Sequence, residues 1–142
     1  MNRKTIAVLM VFALSFSLGS LGLMTNGFAQ SVEVKNYGGV SYISGGIGMG
    51  EREELEAMGQ NYDLKLVFAI QQGNYLSDVK VVIKGSSGNV ALEAVSDGPW
   101  LYAQLPAGTY NVSATTMGKT ITKVARVNAR SRTQLNFVWA SK

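Results

Sequence analysis

The 142-residue chain has neither cysteine nor histidine, holds only two prolines, and carries no acidic residue after Asp97. Without histidine, Ser-His-Asp and Cys-His nucleophile systems are excluded, and the loss of both residue types removes the common zinc sites. Without cysteine no disulfide can staple the fold, so even in an oxidising compartment it must hold by packing alone. The acids that remain do not alternate as a calcium loop requires. Glu51, Glu53 and Glu54 cluster at an expected helix start, where carboxylates are more simply partners of the helix dipole than a glycosidase acid pair. Gly45, Gly46, Gly48 and Gly50 precede them, but no Lys-Ser or Lys-Thr follows and the acids would repel a phosphate, so a flexible connection is expected. Lys80, Lys84, Glu93 and Asn136, the pieces of a Lys-Asn cross-link, all fall on polar strand faces. No catalytic residue, metal ligand or cofactor is expected, and the chain reads as a non-enzyme.

The amino terminus carries a targeting pattern. Arg3 and Lys4 precede an apolar stretch from Thr5 to Leu18, and Gly27-Phe28-Ala29 offers small residues at the -3 and -1 positions of a signal peptidase site. Residues 1–29 are read as a cleaved signal peptide, and no membrane span is expected after cleavage. A retained anchor is the rival reading, because the uncharged stretch from Thr5 to Gln30 is 26 residues long. Export points to a bacterial periplasm or to secretion. The exported part has 11 basic against 9 acidic groups, a net +2, which argues against nucleic acid as a partner.

What is present is a strand pattern. Residues 30–62 read as two short strands, VEVK and GVSYI, then a Gly-rich loop and a helix of about ten residues over Gly50 to Gln60, with Leu55, Met58 and Tyr62 at helical spacing. Residues 63–142 read as seven strands separated by turn residues. Leu64, Leu66, Phe68 and Ile70 alternate with Lys65, Val67 and Ala69; Val79, Val81 and Ile83 share a face, as do Tyr110, Val112 and Ala114, and Thr133, Leu135, Phe137 and Trp139. Gly98 and Pro99 break the chain before Trp100. Pro106, at the first corner of a turn, and Gly108, at an expected positive φ, then suggest a hairpin through Leu105-Pro106-Ala107-Gly108 into Tyr110. The fold class is therefore all-β: an antiparallel seven-stranded β-sandwich with one short helix before it.

Gly73 to Val127 resembles the carboxypeptidase regulatory-like domain, a transthyretin-like or prealbumin-like β-sandwich of broadly Ig-like type. The residues that carry the likeness are the strand DVKVVIKGSSGNV, the step Asp97-Gly98 and the Leu-Pro-x-Gly-x-Tyr motif from Leu105 to Tyr110. The preceding SYISGGIG, acidic helix and DLKLVFA look like a small exported proteobacterial type built around that module. Pro99-Trp100 departs from the family, which more often has a small residue and then Phe. The resemblance implies a fold; related sandwiches serve as enzyme appendages, adhesin stalks and receptor plugs, so it names no activity.

Two surfaces are candidates for binding. Trp100 and Tyr102 share one strand face, where they would stack on sugar rings or anchor a protein, unless the helix around Leu55 and Met58 covers them as a second small core. Residues 119–142 carry six basic groups and no acid, so Lys123, Arg126, Arg130 and Arg132 would form a positive stripe for an anionic glycan or acidic partner, or else solvate outer faces and guard an edge. The expected role is a non-catalytic envelope interaction module that binds a protein or envelope component. The alternative is a carbohydrate-binding module.

Overall fold

The computed structural model describes residues 32–141, so the signal-peptide expectation lies outside the described residues. Nine strands and one helix follow in the order β1 (Lys35–Tyr37), β2 (Val40–Gly45), α1 (Met49–Gly59), β3 (Leu64–Ile70), β4 (Lys80–Gly85), β5 (Val90–Val95), β6 (Trp100–Ala103), β7 (Gly108–Thr116), β8 (Lys119–Val127) and β9 (Thr133–Trp139). They form a five-stranded sheet in the order β1-β2-β6-β3-β9 and a four-stranded sheet in the order β5-β4-β7-β8. The alternating side chains expected to share a face do so. Leu64, Leu66 and Phe68 from one sheet meet Val81, Ile83, Val112 and Ala114 from the other in a single core. Phe68, Phe137 and Trp139 pack there with ring centroids 5.9 to 6.3 Å apart.

Three expectations are corrected. The sandwich has nine strands, because β1 and β2 join the seven from β3 to β9, and it is not wholly antiparallel, because β9 runs parallel to β3 from Leu64↔Thr133 to Ile70↔Trp139. The reason is topological: the segment after β8 carries the chain from the four-stranded sheet to the far edge of the five-stranded one. In the same way, β1 and β2 do not stand apart from residues 63–142, since β2 pairs with β6, which in turn pairs with β3.

The third correction concerns Leu-Pro-Ala-Gly. It is not a hairpin: β6 lies in one sheet and β7 in the other, so the chain crosses between layers. Leu105 is buried in the core on the way across, and the Tyr110 hydroxyl donates to the Pro106 carbonyl at 2.6 Å, locking the corner. Gly108 is not among the residues with positive φ; it sits at the start of β7 opposite Val127. Gly98, by contrast, has a steric reason to be glycine, because a Cβ there would stand 2.3 Å from the Gly45 carbonyl oxygen. Pro99 accepts a backbone hydrogen bond from Phe68 at 2.8 Å.

The edge between β8 and β9 is closed by side chains. Lys123 Nζ donates to the Asn136 carbonyl at 2.6 Å, Trp139 Nε1 to that of Lys119 at 3.1 Å, and Thr133 Oγ1 to that of Arg126 at 2.7 Å. Backbone groups that would otherwise template a foreign strand are thereby occupied.

Tyr110→Phe is expected to cost about 1 kcal/mol in urea denaturation, the worth of one hydrogen bond, while Gly108→Ala shifts stability by less than about 0.5 kcal/mol. Burial pushes the Tyr110 phenol up, so the native state keeps that proton longer than the unfolded chain. Its contribution is present below about pH 10 and lost as pH rises through the folded value, so the gap between wild type and Tyr110→Phe is expected to shrink above that point.

Candidate functional site

The outer face of the five-stranded sheet is set by β6. Its register places Ile43, Tyr102 and Lys65 in one row and Gly45, Trp100 and Val67 in the next. Helix α1 lies across these rows, and Val32, Ile43, Leu55 and Tyr102 form a second core, with Met58, Tyr62 and Trp100 packed against it. Tyr102 is wholly buried and Trp100 half-buried. The pair therefore is not an exposed platform: the covering-helix reading is the one the structure has.

Gly59, at the helix end, explains how closely the two layers meet. A Cβ on Gly59 would lie 2.4 Å from the Tyr102 ring, so this position admits glycine alone without displacing the ring. At the other end of α1 the Gly-rich segment, expected to be a flexible connection, is tied down. The Gly46 N–H donates to Glu51 Oε1 at 2.9 Å, and Arg52 Nε donates to the Gly46 carbonyl at 2.9 Å. Buried Ser44 completes this corner by donating to the Trp100 carbonyl and accepting from the Asp97 N–H.

Under and beside the helix, cations and rings alternate. Arg132 lies 5.3 Å from the Tyr102 ring centroid, Lys65 Nζ lies 5.4 Å from Tyr102 and 3.8 Å from Trp100, and Arg52 lies 5.9 Å from Trp100 and 4.7 Å from Tyr75. Ring faces carry negative charge density, so each cation replaces lost water with a π face. Desolvation pushes the Lys65 ammonium below the usual lysine range, with nearby Arg132 acting in the same direction and Glu56 opposing it. Burial pushes the Tyr102 phenol up, and its hydroxyl has no hydrogen-bond partner among the described residues. Arg132 Nη2 donates to the Gly59 carbonyl at 2.7 Å, placing a cation at the negative end of the helix dipole.

The stack emerges from the protein at Arg52 and Tyr75. Tyr75 is half exposed; Ile47, which shares a cleft with it, and Met49, three residues before Arg52 on α1, are 64% and 76% exposed, more than the other large apolar side chains of the described residues. Arg52 spends Nε on Gly46, and its terminal nitrogens have no protein partner among the described residues. A shallow cleft of about 270 Å³ runs between Gly46, Ile47, Arg52, Tyr75 and Pro99.

The four basic residues read as a stripe do not share a surface. Lys123 stands opposite Val112 in the inward row and reaches over the edge toward the Phe137 ring, whereas Arg126 stands opposite Thr109 on the outer face. Residues an odd number apart on a strand point to opposite faces, which splits them. Arg130 sits in the exposed β8–β9 connection, where its N–H donates to Asn128 Oδ1, and Arg132 turns under the helix. Sequence reading missed Lys65, Arg52 and Tyr75. Lys65 had a signal, as the one charge on the otherwise apolar outer face of β3; the other two meet only through tertiary packing.

No protein-family model matches the chain, and no curated protein matches it.

Gly59→Ala is expected to cost about 1–3 kcal/mol, as overpacking against Tyr102, read as a fall in thermal midpoint. Lys65→Met is expected to be at least as stable as wild type at pH 7, since an apolar isostere removes a desolvated charge. Because the folded lysine titrates below its unfolded value of about 10.5, wild type gains stability as pH rises through that window, and the difference narrows.

Proposed function

We propose that the protein is a non-catalytic, exported interaction module of the bacterial envelope, periplasmic or secreted, which docks a protein or envelope component through the helix-capped end of its sandwich. The observation that carries the reading is Arg52, framed by Tyr75 and Trp100 at an exposed rim next to Ile47 and Met49. Arg, Tyr and Trp are the residue types that dominate binding energy when a partner desolvates them, and a guanidinium whose terminal nitrogens have no hydrogen-bond partner among the described residues suits a partner carboxylate. The signal-peptide pattern of residues 1–29 supports export, and the Leu-Pro-x-Gly-x-Tyr motif, with its Tyr110–Pro106 corner, supports a carboxypeptidase regulatory-like, transthyretin-like sandwich. Burial of Tyr102 weighs against a sugar platform on this face.

A photocrosslinking residue at Met49 is expected to give a discrete adduct in the periplasm that is lost with Arg52→Ala. The same residue at Thr122, on the outer face of the other sheet, is expected to give none. Adducts of equal yield at both positions, or one indifferent to Arg52→Ala, would contradict the reading.

A further inference from the structure

At the opposite end of the sandwich from Arg52, three connections converge: the β1–β2 turn at Gly38-Gly39, the β4–β5 turn from Gly85 to Asn89, and the crossing at Pro106-Ala107. Between them lies a cleft of about 440 Å³, within the size range of small-ligand sites. None of its fifteen lining residues is charged. A charged ligand would lose water there without gaining a counter-ion, which selects for neutral ligands.

The floor is apolar: Leu105 belongs to the core, and Val40 and Ala91 pack against it. The rim is polar and neutral, with hydroxyls from Ser87 and Thr109 and the Asn89 amide. Ser87 Oγ donates to Asn89 Oδ1, which leaves the two Asn89 amide protons for another acceptor. At one side stands Tyr37, 37% exposed and followed by two glycines with open space around them, so no neighbouring side chain from that turn shields its ring. An apolar floor, an accessible aromatic ring and neutral donors and acceptors at the rim match a molecule with C–H faces and hydroxyl edges.

We propose that this cleft binds a neutral saccharide. It is a second site, separate from the docking surface at Arg52 and independent of that reading. Nothing in the cation–aromatic stack takes part, and the crossing locked by Tyr110 and Pro106 supplies one wall.

The test uses saturation-transfer NMR and titration calorimetry on the purified protein. The probes are the α-1,4- and β-1,4-linked glucose tetramers, the β-1,4-linked N-acetylglucosamine tetramer, and tetragalacturonate as the charged control. At least one neutral tetramer is expected to bind, and tetragalacturonate is not. Tyr37→Ala and Ala107→Arg, both at exposed positions and checked for an unchanged circular-dichroism spectrum, are each expected to weaken binding by about tenfold or more. Should Tyr37→Ala not fold, Ala107→Arg decides. Arg52→Ala is expected to leave the affinity unchanged. Failure of all neutral tetramers to bind, equal binding of tetragalacturonate, binding that survives the cleft variants, or binding lost with Arg52→Ala would overturn the proposal.

Discussion

The central strand of the larger sheet is apolar on both faces, and that constraint organises the molecule. In β6, Leu101 and Ala103 point into the sandwich and are fully buried, while Tyr102 points away from it and is fully buried as well. A two-layer sandwich covers only one side of such a strand, so a third element has to cover the other. Helix α1, at 11 residues, is too short to persist by itself in water, and it owes its order to Leu55 and Gly59 seated on Ile43 and Tyr102. Full burial of a side chain such as Leu55 or Ile43 contributes about 1.5–3 kcal/mol, which is substantial for an isolated helix docking on a sheet.

Covering β6 has electrostatic consequences. The helix spans the inner part of the outer face but leaves its margins to long side chains whose stems are apolar and whose heads are charged. Lys65 and Arg132 enter from the sheet side and Arg52 from the helix, and each finds an aromatic ring. The same packing that buries Tyr102 thus fixes Arg52 against Trp100 and Tyr75. Structural cover and candidate docking surface are two ends of one arrangement.

Much of this was legible from period alone. Strands β4, β7 and β9 alternate, β3 keeps Leu64, Leu66 and Phe68 inward although its outer face is apolar too, and these inward residues are the core; the helix stands at Met49–Gly59 against an expected Gly50 to Gln60. What failed was the step from local turn to global partner. Leu-Pro-Ala-Gly announces that the chain bends but cannot say whether the next strand returns beside the last or crosses to the opposite layer, and burial of Leu105 decides for crossing. The parallel pairing of β3 with β9 joins segments about seventy residues apart, a non-local choice that no window of sequence contains. The candidate site was half legible: Trp100 was singled out, but Arg52 and Tyr75 become its neighbours only once α1 and the β3–β4 connection are in place.

The larger sheet depends on α1 lying against the outer face of β6, and Gly59 reports on that contact directly. With the Tyr102 ring pressed on its Cα, the Gly59 α-protons are predicted to resonate well upfield of ordinary glycine positions in the proton NMR spectrum, and to return toward them in Tyr102→Leu. Gly59 α-protons at ordinary positions in the wild-type protein would contradict it.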